Sequence, residues 1–257
     1  MALTPGFDEV VDSMQSIVST CATRHSPAGY FPAMYLGVTR AVEQGINDGI
    51  FTTPDRLTRL TIAFAQRYLD AWSTHESGGE PTDSWQLAFR SAAEWRPTVL
   101  QHLLLGMNAH INLDLGIAAA ATAPGDAIHD LRNDFEQINK VLASLVQTIQ
   151  RQLGRISPLY RFIDEVGGDA DRAVVNFSIA RARDEAWRFA TLLAAADPAT
   201  ARQRITAQDR VVARLGGTIR RPGLVTSTGL LAVRLTERRR PGEIIELLSN
   251  ATEPTTP

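Results

Sequence analysis

Residues 98–123 read TVLQHLLLGMNAHINLDLGIAAAATA, and this stretch decides the fold. It holds no proline, and Thr98 can cap its start. Over some seven turns it is apolar almost all the way round. A helix without a polar face belongs at the centre of a bundle, not on its surface. Yet the middle of the stretch carries His102, Asn108, His110, Asn112 and Asp114. Burying so many polar groups is costly unless each finds a partner. The same residues that point to a central helix therefore also mark the place to look for chemistry.

Working outward, strand-like alternation is nearly absent and the helical period recurs throughout. Toward the N-terminus, helices are expected over about Pro5 to Ala22 and Tyr30 to Ile50. Another should open at Thr53-Pro54-Asp55 and close at Ser77-Gly78-Gly79, and a short one should run from Thr82 or Asp83 to Trp95. On the other side, Pro124-Gly125 makes a turn and Asp126 caps a long amphipathic helix to about Leu153. A linker from Gly154 to Gly168 follows, then helices over about Asp169 to Ala196 and Thr200 to Leu215. Gly216-Gly217 and Pro222-Gly223 punctuate a region with two more. The expectation is an all-α bundle of about eight to ten helices, one domain over residues 1–249, and a disordered tail over 250–257.

The chain has 257 residues, 44% hydrophobic and 21% charged, with a formal charge of −2. That balance gives no reason to expect a nucleic acid or a membrane as partner. Basic residues gather only at Arg220-Arg221 and Arg238-Arg239-Arg240, where they read as solvated helix ends. Cys21 is the single cysteine, which excludes an intrachain disulfide and a cysteine-based zinc site. The first residues carry neither a basic nor an apolar signal region, and the longest apolar stretches are interrupted by polar residues, so the cytoplasm is the expected compartment. Lys140 is the sole lysine among many arginines, as a GC-rich bacterial genome would produce.

At about 100° per residue, His110 and Asp114 share one face of the central helix, while Asn108 and Asn112 pair on roughly the opposite side. His102 lies about 80° from His110 on the same projection. In the next helix, Asp134 and Asn139 flank an apolar stripe. If the two helices are antiparallel neighbours, His110, Asp114 and Asp134 converge. A histidine with two carboxylates matches one divalent zinc, manganese or iron ion, with His102 as a further ligand. Without metal, the trio would be an acid–base pair whose carboxylate fixes the imidazole tautomer. A hydrogen-bond network inside the core is the third reading. Farther on, Arg183 and Trp187 lie together on one helix face, an arginine–aromatic wall for an anionic or planar ligand. No phosphate loop, dinucleotide fingerprint, HExxH or GxSxG pattern is present, so no nucleotide cofactor is expected.

The runs GMNAHINLDL (106–115), DFEQIN (134–139), FSIARARDEAW (177–187) and PAMYLGVTRAV (32–42) resemble a mainly actinobacterial family of unknown function. The likeness spans about Tyr30 to Leu193. It implies an all-helical fold and directs attention to His110, Asp114, Asp134, Arg183 and Trp187, but brings no activity with it. The expected function is a small-molecule enzyme, of a specialised-metabolism kind, that hydrolyses, dehydrates or cyclises its substrate at the His/Asp site. The alternatives are a helical binding protein in which Asn108, Asn112, Asn139, Arg183 and Trp187 serve a ligand or the core, and a scaffold that docks a partner on its basic C-terminal helix. A homo-oligomer is compatible with all three.

Overall fold

A computed structural model describes residues 6–138, 153–157, 179–237 and 239–252, and among these there is no strand. The chain folds as an all-α bundle. α1 (Phe7–Thr23), α2 (Tyr30–Asn47), α3 (Pro54–Glu76) and α4 (Asp83–Ala92) precede the central helix. That helix is α5 (Val99–Ala109), a π-helical turn (His110–Asp114) and α6 (Leu115–Thr122). After it come α7 (Ile179–Ala194), α8 (Pro198–Arg220), α9 (Leu224–Thr236) and α10 (Pro241–Thr252). Residues 250–252, expected in a disordered tail, belong to α10, which runs to Thr252, and residues 253–257 lie outside the described residues. Asn139 lies outside the described residues.

The central helix is packed by α2, α3, α4, α7 and α8. Val99–Thr122 is long and apolar enough to cross a membrane by length and composition, but 83% of its most apolar window is buried inside the fold. Its start is closed by a capping box, in which Thr98 accepts from the Gln101 N–H and the Gln101 side chain accepts from the Thr98 N–H.

Three helix N-termini are capped by carboxylates from distant parts of the chain. Asp134 accepts from the N–H groups of Thr52 and Thr53, at 2.8 and 2.9 Å, just before α3. Asp209 of α8 accepts from Asp83 and Ser84 at the head of α4, at 2.7 and 3.0 Å. Glu237, after α9, accepts from Val99 at the head of α5 at 2.9 Å. Negative charge at these ends meets both the unpaired donors and the positive end of the helix dipole. Each cap also locks a late part of the chain onto an early one.

Two local expectations change. Residues 125–131 form a 3-10 helix, not the first turns of an α-helix capped by Asp126. Gly216-Gly217 do not end a helix, for α8 runs through them to Arg220. A Cβ on Gly216 would stand 2.8 Å from Leu87 and 3.3 Å from Asn108, so this glycine is there to let α8 approach α4 and α5.

Candidate functional site

The π turn sits where the polar residues are densest. The Leu115 N–H donates to the carbonyl of His110, five residues back. A regular α-helix leaves residues four apart about 40° out of line. The wider turn brings them closer to eclipse, and the His110 Nδ1 lies 3.3 Å from the Asp114 Oδ2. Such turns are frequent at functional sites.

Asp114 is fully buried and stands at the hub of the network. Its Oδ2 also accepts from the Trp85 indole Nε1–H at 2.8 Å, and its Oδ1 accepts from the Arg67 Nε–H at 3.1 Å. The Arg67 side chain is one-third exposed and links the buried carboxylate to the surface. Burial pushes the His110 pKa down, outweighing the upward pull of its hydrogen bond to Asp114. The ring is therefore neutral. Because a carboxylate only accepts, Nδ1 carries the hydrogen and Nε2 the lone pair. That Nε2 is buried and has no hydrogen-bond partner.

The imidazole lies in an aromatic box. Phe64 stacks on it at 3.6 Å, nearly parallel, and Tyr35 meets it edge-on at 4.4 Å. Phe31, Trp85 and Tyr68 stand at 5.5, 6.0 and 6.5 Å. One more buried polar atom here lacks a partner, the Tyr68 hydroxyl, while the Tyr35 hydroxyl lies beside the Thr39 side chain. Burial raises the pKa of both phenols, which stay protonated. Two unsatisfied polar atoms, His110 Nε2 and the Tyr68 hydroxyl, thus belong to rings packed in one box, where buried groups are normally all paired.

Beside the box lies a small cleft, open to solvent, with an interior of about 20 Å³ that has room for little more than one water molecule, lined by Phe31, Tyr68, Trp85, Phe89, His102 and Gly106 among others. Three of these side chains also contact His110, which places the histidine one aromatic layer behind the cleft wall. A Cβ on Gly106 would fall 2.5 Å from the Phe31 ring, so glycine is what allows Phe31 to lie there. His102 packs edge-on against Tyr30 at 5.7 Å. Its pKa is lowered to about 3, mainly by burial and further by Arg234, so it too is neutral.

The structure brings His110 and Asp114 together but not Asp134. Asp134 caps α3, and its hydrogen bonds go to Thr52 and Thr53. The cause is the 3-10 segment before it. Seven residues at three per turn leave the chain about 140° out of phase with an α-helix, so a face assigned by the α period is wrong from residue 132 onward. Among the described residues no group of three His, Cys, Asp or Glu side chains is placed to hold a metal ion. The Arg67 guanidinium, moreover, occupies the flank of Asp114 where a cation would bind.

Asn108 and Asn112 do pair, at 3.0 Å, but they serve α8. Asn108 donates to the Val212 carbonyl at 2.9 Å, and the Asn112 carbonyl accepts from Gln208 at 3.0 Å. Arg183 and Trp187 share a face as expected, and Phe135 fills the space between them, 4.3 Å from the guanidinium carbon and 5.0 Å from the indole. The Arg183 guanidinium donates to the Phe135 carbonyl and is buried, which lowers its pKa to about 10. The expected ligand wall is occupied from within.

Sequence reasoning did not pick out Arg67, Trp85 or the tyrosines. Arg67 had a signal, being a charge one step from the apolar stripe of Leu60, Phe64, Tyr68 and Ala71. Trp85 had another, because a buried indole needs an acceptor for its N–H.

The fold and site define a helical-bundle protein built around a buried His–Asp–Arg–Trp network beside an aromatic cleft. The chain belongs to the family described as "Family of unknown function (DUF5995)", whose model matches residues 7–222. The match takes in the whole network and the cleft, and ends before α9. No curated protein and no solved structure matches the chain.

Proposed function

We propose that this protein is a small-molecule enzyme that works by metal-free acid–base chemistry, with His110 as base. The observation that carries this reading is the buried, unpartnered Nε2 of His110, whose Nδ1–H is anchored on Asp114. A carboxylate on Nδ1 fixes the tautomer and stabilises the imidazolium formed when Nε2 takes a proton. The Tyr68 phenol, protonated and unpaired, is suited to donate to a departing or developing oxygen. In a dehydration, Nε2 takes the proton from carbon and the C–O bond breaks. A phenol protonates the leaving hydroxyl as water, and the imidazolium then reprotonates the phenolate. Dehydration and cyclisation suit this dry aromatic setting better than hydrolysis. The substrate is a compact, mostly apolar molecule with a ring or planar group. It enters by the cleft, with Phe31 and Tyr68 turning aside to admit it to His110.

The test is incubation of the purified protein with a bacterial metabolite extract, followed by mass spectrometry, beside His110→Gln. Wild type should consume a compound and release its dehydrated or isomeric product, with no loss of rate in chelator. His110→Gln should slow this by about 100-fold or more. Equal turnover by the variant, or a rate abolished by chelator, would overturn the reading. A binding protein is the second reading, supported by the satisfied hydrogen bonds of Asp114, Asn108 and Asn112. It predicts a compound that is retained unchanged and raises the melting temperature of wild type and variant alike.

A further inference from the structure

A surface helix ordinarily turns its polar side to water. α9 does not. Leu230 and Val233 are buried, Leu230 against Leu104, Leu105 and Ile219. Among its described residues the exposed ones are Leu224, Thr228, Gly229, Leu231, Ala232 and Leu235, with no charge among them. Leu224 is 90% exposed and Leu235 66%. At spacings of four, three and four, Leu224, Thr228, Leu231 and Leu235 form one stripe within about 60° of arc. Trp95, 59% exposed, joins it at the C-terminal turn, where its carbonyl accepts from the Arg234 Nε–H at 2.6 Å.

The basic residues that read as solvated helix ends turn out to frame this stripe. Arg221 lies three residues before the start of α9, and Arg239 and Arg240 follow its end, all exposed. Arg96 lies over the Trp95 ring at 5.9 Å. Two nearby acids are engaged elsewhere, Glu94 with Arg220 and Glu237 with Arg234. Among the described residues none of the four framing arginines has an ion-pair partner.

We infer that this face docks on a membrane surface rich in anionic lipid, with the leucines and Trp95 in the headgroup–acyl boundary and Arg96, Arg221, Arg239 and Arg240 on lipid phosphates. Charge decides against a second copy of the chain. Packed antiparallel, Arg221 of one α9 meets Arg239 and Arg240 of the other, and packed parallel each cluster meets itself. A single stripe of this length also falls short of the ~1,200 Å² of a stable interface. An anionic bilayer supplies acyl surface for the leucines and tryptophan and negative charge for the arginines in one plane. α9 itself lies beyond the family match, which ends at residue 222.

The test is flotation of the full chain with vesicles of phosphatidylcholine alone and of phosphatidylcholine with an equal part of phosphatidylglycerol. Wild type should bind the anionic vesicles at least about tenfold better than the neutral ones, and less as salt rises. Leu224→Ser with Leu235→Ser should weaken binding by about tenfold or more. Replacing Arg221, Arg239 and Arg240 by Gln should weaken it by about fivefold per residue. All of these positions are exposed, so circular dichroism should be unchanged, and the two variant sets test the idea independently. Equal binding to both vesicle types, no binding to either, or undiminished binding by either variant set would overturn it. So would a dimer in solution that the leucine substitutions dissociate, or binding to immobilised polyglutamate in preference to vesicles, the mark of an acidic protein partner.

Discussion

Replacing Asp114 by asparagine removes one charge and swaps one acceptor for a donor, at a residue with no exposed surface. Three groups face this carboxylate. Trp85 Nε1–H and His110 share Oδ2, and Arg67 Nε–H takes Oδ1. An amide can keep its oxygen toward only one side. The less costly arrangement leaves oxygen on Trp85 and His110 and turns the amide nitrogen toward Arg67, donor against donor. Arg67, already one-third exposed, then swings into water. The loss is one charge-assisted hydrogen bond to a buried group, about 2–4 kcal/mol. For a chain of this length that lowers the melting temperature by about 4–7 °C. Asp114→Leu, of similar shape, leaves the donors of both Trp85 and His110 without acceptors and should cost more, about 4–6 kcal/mol. The assay is urea unfolding followed by Trp fluorescence, with thermal melts beside it. Equal destabilisation by asparagine and leucine would refute the reasoning, because hydrogen bonding to Trp85 and His110 would then contribute nothing. A melting temperature unchanged in Asp114→Asn would refute the hub itself.

Acid should unfold the protein through its buried histidines. The folded state lowers the pKa of His102 from 6.5 to about 3 and lowers that of His110 as well, so below pH 6.5 the unfolded chain binds more protons. Stability should then fall by about 1.4 kcal/mol per pH unit through His102 as pH drops from 6.5 toward 3, and His110 should add to the fall below pH 6.5. Urea midpoints that stay flat between pH 7 and 5 would contradict this. Removing a long-range cap by Asp209→Ala or Asp134→Ala should cost about 1–3 kcal/mol each, whereas an exposed acid such as Glu185 changed to Ala should cost less than about 0.5. Hydrogen exchange should show the loss at the first turn of α4 for Asp209→Ala and of α3 for Asp134→Ala. Gly106→Ala should destabilise by about 1–3 kcal/mol, since its new methyl meets the Phe31 ring, and Phe31→Leu in the same chain should recover part of the loss in a double-mutant cycle.

Periodicity and local composition were enough for what depends on neighbours along the chain. The all-round apolar character of 98–123 marked the central helix, and Pro54, Gly78-Gly79 and Pro124 placed breaks that the structure keeps. The four-residue spacing put His110 with Asp114 and Asn108 with Asn112 before any packing was known. Tertiary structure decided what lies across from each of them. Arg67 and Trp85 reach Asp114 from separate helices, 47 and 29 residues away, and no short-range pattern encodes that meeting. Asp134 was legible as a carboxylate at the edge of an apolar stripe. Whether it faced the histidine or the head of α3 turned on a few residues of 3-10 helix that shifted its phase. Likewise the arginines around α9 looked like ordinary helix ends until packing buried one side of that helix and left its other apolar side in water. Hydrogen-bond partners distant in sequence are selected by the whole fold, since only the assembled bundle brings donor and acceptor within 3 Å and removes the water that would otherwise serve both.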